Sequence, residues 1–320
     1  MTGHIVASAV NVVAQLAIPD RLANGPRTAD DLARETGVNG DALYRVMRAL
    51  ASVGVFEERD ERTFALTPAG EALKEGPVRA MALWIACPLN LRVHADAMHS
   101  LKTGAPAVEV TVGEGAFAHF AKNPEISRIF NDAMTAFSRV VIPAVLDAYD
   151  FSGIKTLVDV AGGHGGVLTG VLQKYPGMKG ILFDLEHVID GARPRIAALG
   201  LSDRVTTASG DFFKAVPPGG DAYIMKHIIH DWDDDKSAAI LENIRKVLPK
   251  DGRVVLIESV IPPGNAPALG KIIDLEMLVM PGGRERTETE FRRLFERAGY
   301  QVTRIVPTQS PLSVVEARPV

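Results

Sequence analysis

Apolar positions along this chain follow two rhythms. Up to about residue 150 they recur every three or four residues, and beyond it short apolar runs alternate with helical stretches. Residues 5–18 read as a helix that ends before Pro19. Thr28 is placed to cap a second helix, with Asp30 and Asp31 in its first turn, and Gly37 to stop it. A third helix opens at Asn39 or Asp41, sets Leu43, Val46, Met47 and Leu50 on one face, and ends by Gly54. Residues 55–58 and 63–67 then read as two short strands around a charged turn, which together with the helices make a winged helix. Residues 76–150 read as mostly helical, with apolar periodicity over 80–85 and 93–101. A long helix over 125–149 carries Phe130, Met134, Phe137, Val141 and Val145 on one stripe, and Pro143 predicts a kink in it.

From Phe151 the pattern predicts strands at 155–160, 180–184, 205–209, 222–226, 253–258, 300–306 and 312–317. Helices fall at 165–174, 187–199, 235–248 and 287–298. Such alternation implies an α/β fold, a parallel-rich sheet with helices on both faces. The last two strands, joined by a short link, predict an antiparallel hairpin at the sheet edge. The expected division is a winged-helix and helical domain over 1–150 and an α/β domain over 151–320.

The first of these strands runs into a glycine-rich turn, Asp159-Val160-Ala161-Gly162-Gly163-His164-Gly165-Gly166. Open α/β sheets bind ligands at the carboxyl ends of their strands, so this turn is the first candidate site. A dinucleotide loop requires G-x-G-x-x-G, and Leu168 stands where its third glycine belongs. A P-loop requires Gly-Lys-Ser/Thr, which does not follow. What fits is acidic-x-Gly-x-Gly-x-Gly with Ala161 in the place of the first glycine, which resembles the loop of S-adenosylmethionine (SAM) methyltransferases. A carboxylate beside the loop suits the positive amino and sulfonium groups of SAM and would repel a pyrophosphate. The bland alternative is a turn that serves helix–strand packing alone.

Composition narrows the classes. Hydrophobic residues make up 47% and charged residues 23% of 320, enough for a large core. The net charge of −4 gives no basic footprint for nucleic acid. Residues 1–80 hold nine Lys/Arg against eleven Asp/Glu, so the winged helix is expected to join protomers rather than grip DNA, despite Arg45 and Arg48. A ligand-sensing DNA-binding regulator stays as a distant rival. The single cysteine, Cys87, excludes an internal disulfide and fits a reducing cytoplasm. The apolar start lacks the length of a membrane span and the basic flank of a signal peptide, so no membrane association is expected. The acids and His164 form no compact ligand set in the sequence, so no metal is expected.

Chemistry-bearing residues gather at successive strand ends. Asp184 ends the second strand, where a carboxylate can accept both ribose hydroxyls. Asp211 and Phe212 follow the third, suited to an adenine amino group and to the ring face. The fourth runs into Lys226-His227-Ile228-Ile229-His230-Asp231-Trp232, and the fifth ends at Glu258. Glu285 lies in Pro281-Gly282-Gly283-Arg284-Glu285-Arg286. A histidine titrates near neutrality and can take a proton from a hydroxyl, and either glutamate can orient it. A lone histidine or strand-end acid is usually structural, but several at neighbouring strand ends argue for a site.

These motifs, with Phe183-Asp184-Leu185, Gly210-Asp211-Phe212-Phe213, Phe130-Asn131-Asp132-Ala133-Met134 and Arg286-Thr287, resemble one family. It is the caffeic-acid and isoflavone type of plant O-methyltransferase with its bacterial antibiotic-tailoring relatives. The resemblance covers nearly the whole chain. It implies a Rossmann-like SAM-binding sheet, a winged-helix dimerisation domain and a homodimer. It implies methyl transfer to a phenolic hydroxyl of a small aromatic or polycyclic acceptor. His230 would be the general base, with Glu258 and Glu285 beside it and His227 a spectator. Asp159, Gly162, Gly163, Gly165, Asp184, Asp211, Phe212 and Lys226 would serve SAM. Asn131, Met134, Asp231, Trp232 and Met277 would line the acceptor. The sequence departs from the family at Ala161 and at Met280, where plant members often carry a polar residue. Transfer to nitrogen, or non-methylating tailoring on the same fold, is the alternative reading.

Overall fold

Side-chain caps start the N-terminal helices where the polar pattern places them. The structure, a computed structural model, describes residues 2–60 and 62–320. These form two compact units, one running to Ala97 and including Phe117–Phe137, the other comprising Met98–Ala116 and Ser138–Val320. The chain leaves and re-enters each unit, so no single cut at residue 150 separates them.

In the first unit, Thr28 Oγ1 accepts the Asp31 amide at 3.1 Å and caps helix Ala29–Thr36, which ends at Gly37 with φ 71°. Asn39 caps helix Gly40–Ala51 in the same way. Strands Phe56–Glu58 and Thr63–Leu66 pair antiparallel, and Arg27–Thr28 adds a third, unpredicted strand to the wing. Glu61, in the charged turn, lies outside the described residues. Helix Gly3–Gln15 stops earlier than its apolar pattern suggests, because Ala17 turns left-handed at φ 50° and Pro19 then starts a short helix, Ile18–Arg21. Val13, Ile18, Leu32, Leu43, Met47, Leu50, Phe56 and Phe64 form this unit's core. The helix expected over 93–101 is two, Pro88–Ala95 and Ala97–Thr103, parted at Asp96. Helix Pro124–Ala148 contains Pro143 and is long and apolar enough to cross a membrane, as core helices also are. It buries Ala133, Ala136, Val141 and Val145.

The second unit holds the sheet. Its strands are β1 (Thr156–Val160), β2 (Lys179–Asp184), β3 (Val205–Ser209), β4 (Ala222–Lys226), β5 (Arg253–Glu258), β6 (Tyr300–Pro307) and β7 (Ser313–Pro319). Their order is β6-β7-β5-β4-β1-β2-β3. The first five run parallel, and β7 returns antiparallel between β5 and β6, so the expected hairpin forms the edge. Alternation along β2 shows why both faces are covered. Ile181 and Phe183 join the core of helices Asp234–Arg245 and Glu288–Arg297, while Gly180 and Leu182 face helix Gly166–Lys174 and its loop. Strand order reverses beside β1, where β2 lies on one side and β4 on the other. That reversal opens a crevice at the carboxyl ends. Helix Leu269–Val279 and the short parallel pair of Val260–Ile261 with Arg286–Thr287 were not predicted.

The edge hairpin is tied down by one carboxylate. Glu316 on β7 is 4% exposed and accepts hydrogen bonds from the Tyr149 hydroxyl, from Thr303 Oγ1 at 2.7 Å and from Arg304 at 2.9 Å. Burial pushes its carboxyl up, but the bonds from Tyr149, Thr303 and Arg304 outweigh burial and hold it below its ordinary value of 4.5. Glu316→Gln should therefore lower stability by about 1.5–3 kcal/mol at pH 7, read from urea unfolding. A depressed carboxyl contributes stability above its unfolded pKa and loses it as pH falls, so the gap to wild type should narrow as pH falls below 4.5. An unchanged midpoint at pH 7 would contradict this role.

Candidate active site

The carboxyl ends of β1 to β5 supply this unit's polar groups. After β1, Ala161 is left-handed at φ 54°, a conformation that disfavours a side chain, and it occupies the place where glycine was expected. Gly162 has no room for a side chain: a Cβ there would lie 2.5 Å from Asp159 Cγ and 2.6 Å from Leu182 Cδ1. Gly163 and Gly165 have φ 59° and 79°, and Gly165 precedes helix Gly166–Lys174. No atom would lie within 4 Å of a Cβ on Gly163, which leaves an open cradle along the loop.

The carboxylates around this cradle divide by exposure. Asp159 is 1% exposed and accepts the Leu168 amide at 3.3 Å, so it fastens the start of the helix beneath the loop. Burial raises its carboxyl to about 7. Asp184 is half-buried; its two oxygens accept the Gly163 amide at 2.8 Å and the Leu185 amide at 2.7 Å, each keeping a lone pair. Asp211 is also half-buried and accepts the Phe213 amide at 2.9 Å. Trp232 meets the ring of Phe213 edge-on at 4.9 Å and that of Phe212 at 6.1 Å. The three rings thus sit beside Asp211, although Trp232 was expected on the acceptor side.

After β4 the backbone breaks. His227 is left-handed at φ 54° and a short 3-10 turn, Ile229–Asp231, follows. Glu258, at the end of β5, fixes this turn: its Oε1 accepts the amides of Ile228 and Ile229, both at 3.0 Å. The turn lifts His230, 7% exposed, so that its Nδ1 lies 2.8 Å from Glu285 Oε1. Of the two glutamates offered for orienting the histidine, Glu285 makes the direct bond and Glu258 holds the backbone below. With Nδ1–H donating to the carboxylate, Nε2 becomes the proton-accepting nitrogen, 3.4 Å from Asp231 Oδ1. Burial alone would push this imidazole down, but Asp231, Glu258 and Glu285 outweigh it and raise it to about 9. Burial likewise raises Asp231 to about 6 and Glu258 to about 7, and lowers Lys226.

Backbone contact joins the Glu285 loop to the histidine turn. The Arg284 amide donates to His230 O at 2.8 Å, and the Glu285 amide donates to Asp274 at 2.8 Å. A Cβ on Gly283 would lie 2.0 Å from His230 O and 2.3 Å from Asp231 C, so only glycine lets the two backbones touch. Sequence reasoning passed over Gly283 and Asp274. It also set His227 aside, yet the rings of His227 and His230 stack at 4.4 Å and 26°. Burial, His230 and Lys226 hold His227 well below its ordinary value, so it stays neutral beside His230.

Other predicted residues lie elsewhere in the chain. Met277 is buried on helix Leu269–Val279, and its carbonyl accepts the Gly282 amide at 2.9 Å. Asn131 is exposed on helix Pro124–Ala148, where it donates to Ser127 Oγ at 3.3 Å, and Met134 is half-buried on the same helix. No metal was expected, but His227, His230 and Glu258 place ligand atoms within 4.8 Å of one another. The two imidazoles stack at 4.4 Å and 26°. Glu258 Oε1 accepts two amides, while Oε2 is buried without a hydrogen-bond partner among the described residues.

Two family models match the chain, an O-methyltransferase domain over residues 94–301 and an O-methyltransferase dimerisation domain over residues 1–76. The phenazine O-methyltransferase PhzM of Lysobacter antibioticus is 42% identical over 323 residues, covering 100% of this chain and 94% of its own length. The solved structure of the mitomycin 7-O-methyltransferase MmcR superposes with a TM-score of 0.93 at 36% identity, covering 100% of this chain and 95% of that one. The O-methyltransferase NcsB1 from neocarzinostatin biosynthesis, solved with SAM and 2-hydroxy-5-methyl naphthoic acid, superposes at 0.86 and is 31% identical, covering 98% and 96%.

The electrostatics of the histidine turn make a prediction independent of any ligand. His230 is raised above its unfolded value of 6.5, so its protonated form stabilises the fold fully below pH 6.5 and that contribution is lost as pH rises to about 9. The raised carboxylates lose theirs by about pH 7, so above it His230 is the group of this cluster whose raised value still contributes. Urea unfolding should show wild type losing more stability between pH 7 and 9 than His230→Gln. Equal losses would contradict the raised imidazole.

Proposed function

Because the chain belongs to the O-methyltransferase family, with the methyltransferase and dimerisation domains both present, we propose that His230 is the general base of its reaction. The enzyme is a SAM-dependent O-methyltransferase that acts on a hydroxyl of an aromatic or polycyclic small molecule, and it assembles as a homodimer. The observation that carries the proposal is the buried His230–Glu285 pair, which fixes Nδ1 as donor and leaves Nε2 to take the proton.

SAM, when bound, supplies an electrophilic methyl group on a sulfonium. The open cradle at Gly163 and the lone pairs left on Asp184 and Asp211 fit its uncharged ribose and adenine. In our reading Gly162, Gly163 and Gly165 shape that cradle, Asp184 takes the ribose hydroxyls, Asp211 the adenine amino group, and Phe212 the ring. Asp159 and Lys226 act from beneath, one by fastening the loop and the other as a half-buried charge near Asp159, Asp231 and Glu258. Asn131, Met134 and Met277 are assigned to the acceptor by resemblance, with Asp231 beside the base. Trp232 is assigned to the boundary between acceptor and cofactor. We place the enzyme in the cytoplasm, where its one cysteine stays reduced.

The raised imidazole suits a phenol. An unbound phenol ionises near pH 10, so an ordinary histidine at 6.5 would take its proton uphill by about 5 kcal/mol. At about 9 the gap closes to about 1.4 kcal/mol. The same shift leaves only a small fraction of the base unprotonated at neutral pH. Proton removal at Nε2 can then accompany attack by the oxygen, and Glu285 stabilises the imidazolium that forms. Alignment of the two reactants supplies much of the rest, a contribution that can reach roughly 7–11 kcal/mol.

A screen of hydroxynaphthoates and hydroxyphenazines with labelled SAM tests the acceptor class. With the best acceptor, His230→Ala should lower kcat by about 10²–10⁴-fold while calorimetry finds SAM affinity nearly unchanged. Wild-type turnover at neutral pH in that variant would defeat the general-base assignment. Asp184→Ala should weaken SAM binding by roughly tenfold or more, since a hydrogen bond to a charged group is worth about 1.5–3 kcal/mol. The kcat/KM profile should rise with pH towards about 9, and Glu285→Gln should move that limb to lower pH. A limb at or below 6.5 in wild type would count against the reading.

A further inference from the structure

Arg286 is the least expected charge in the catalytic unit. It is 1% exposed, and the carboxylate it pairs with among the described residues, Asp234, has a half-exposed side chain. Burying an arginine carries a desolvation penalty of several kcal/mol, and a buried ion pair is weak evidence for stability. What the guanidinium touches suggests another purpose. Nη1 donates to Ile229 O at 3.1 Å and to Arg284 O at 3.3 Å. Nη2 donates to Trp232 O at 3.0 Å, to Ser237 Oγ at 3.2 Å and to Asp234 Oδ1 at 2.8 Å, and Nε donates to the same Asp234 oxygen at 3.0 Å.

Ile229 and Trp232 bracket His230 and Asp231. One planar group therefore binds carbonyls on both sides of the two residues that face the reaction, and it ties them to the first turn of helix Asp234–Arg245. Ser237 Oγ approaches the same two carbonyls, at 3.2 and 3.3 Å. Arg286 also follows Glu285 directly, so the strut under the turn and the carboxylate on the imidazole belong to one segment. A lysine could not span these acceptors, because a single ammonium lacks the fork of a guanidinium.

We propose that Arg286 is a positioning residue for His230: its guanidinium sets the turn so that the imidazole meets Glu285 and the acceptor oxygen together. The inference rests on the general-base reading and acts through it. A merely structural arginine would support the fold without regard to which residue stands at 230.

A double-mutant cycle separates the two. Arg286→Lys and Asp234→Asn are each made in wild type and in His230→Ala. The kcat for the best hydroxynaphthoate or hydroxyphenazine is measured together with SAM affinity. Arg286→Lys should lower kcat roughly 10–100-fold when His230 is present, with SAM affinity nearly unchanged, since a misplacement near 1 Å can cost 10²-fold. In the His230→Ala background it should lower kcat by no more than about threefold, because the residues are coupled. Equal losses in both backgrounds, a loss carried by SAM affinity, or no loss would overturn the proposal. If Arg286→Lys does not fold, Asp234→Asn decides. It removes the negative charge that holds the guanidinium and should lower kcat only while His230 is present; an unchanged kcat would overturn the proposal. His230→Ala alone reports on the base, so failure of that reading is seen separately.

Discussion

The buried hydrogen bond between His230 and Glu285 sets the terms for the rest of the catalytic unit. It joins residues 55 apart in sequence, one on a turn after β4 and the other in the loop before helix Glu288–Arg297. Neither charge is tolerable alone at that depth, so the two segments must meet closely. The features around them follow from that demand. Gly283 lets the backbones touch, the Arg284 amide donates to His230 O, Asp274 holds the Glu285 amide and Glu258 holds the amides under the turn. Asp231 and Glu258 add negative charge around the imidazole, so the arrangement makes a histidine more basic than it would be in water.

The Rossmann-like sheet brings this histidine beside the glycine loop with no further device. β1 and β4 are neighbours at the point where strand order reverses, so the glycine loop after one lies beside the histidine turn after the other. Charge is divided between the two sides. Beside the glycine loop the half-buried Asp184 and Asp211 keep acceptor capacity, while Asp159 is buried and structural. Around His230 stand the buried Glu258 and Glu285 and the half-buried Asp231. Methyl transfer to oxygen needs both, an aligned electrophile and a base matched to the hydroxyl, and it needs no third group between them.

The middle of the sheet was legible because β1, β4 and β5 are buried on both faces and read as near-continuous apolar runs. β3, β4 and β5 fall on the expected residues, and the other strands differ by one or two at an end. Polar caps at Thr28 and Asn39 were equally plain. Elements without such signals were missed. Helix Leu269–Val279 has leucine and isoleucine on its exposed face as well, so its periodicity is blurred. The Arg27–Thr28 strand is too short to show a pattern. In the site, residue types at strand ends indicated His230 and both glutamates, but spacing could not say which glutamate touches the ring. The His227–His230 stack and the Arg286 strut depend on a left-handed residue and on carbonyl directions, which no residue pattern encodes.

An imidazole raised by the acids around it until it matches a phenol must itself titrate far above the ordinary histidine range. Nuclear magnetic resonance of the protein labelled with ¹⁵N in its histidine rings, titrated from pH 5 to 11 and assigned with His230→Gln, measures this directly. The account predicts that His230 titrates near 9 with Nδ1 protonated throughout, and that Glu285→Gln brings it down towards the ordinary value. A wild-type His230 that titrates at or below 6.5, or one indifferent to Glu285→Gln, would contradict it.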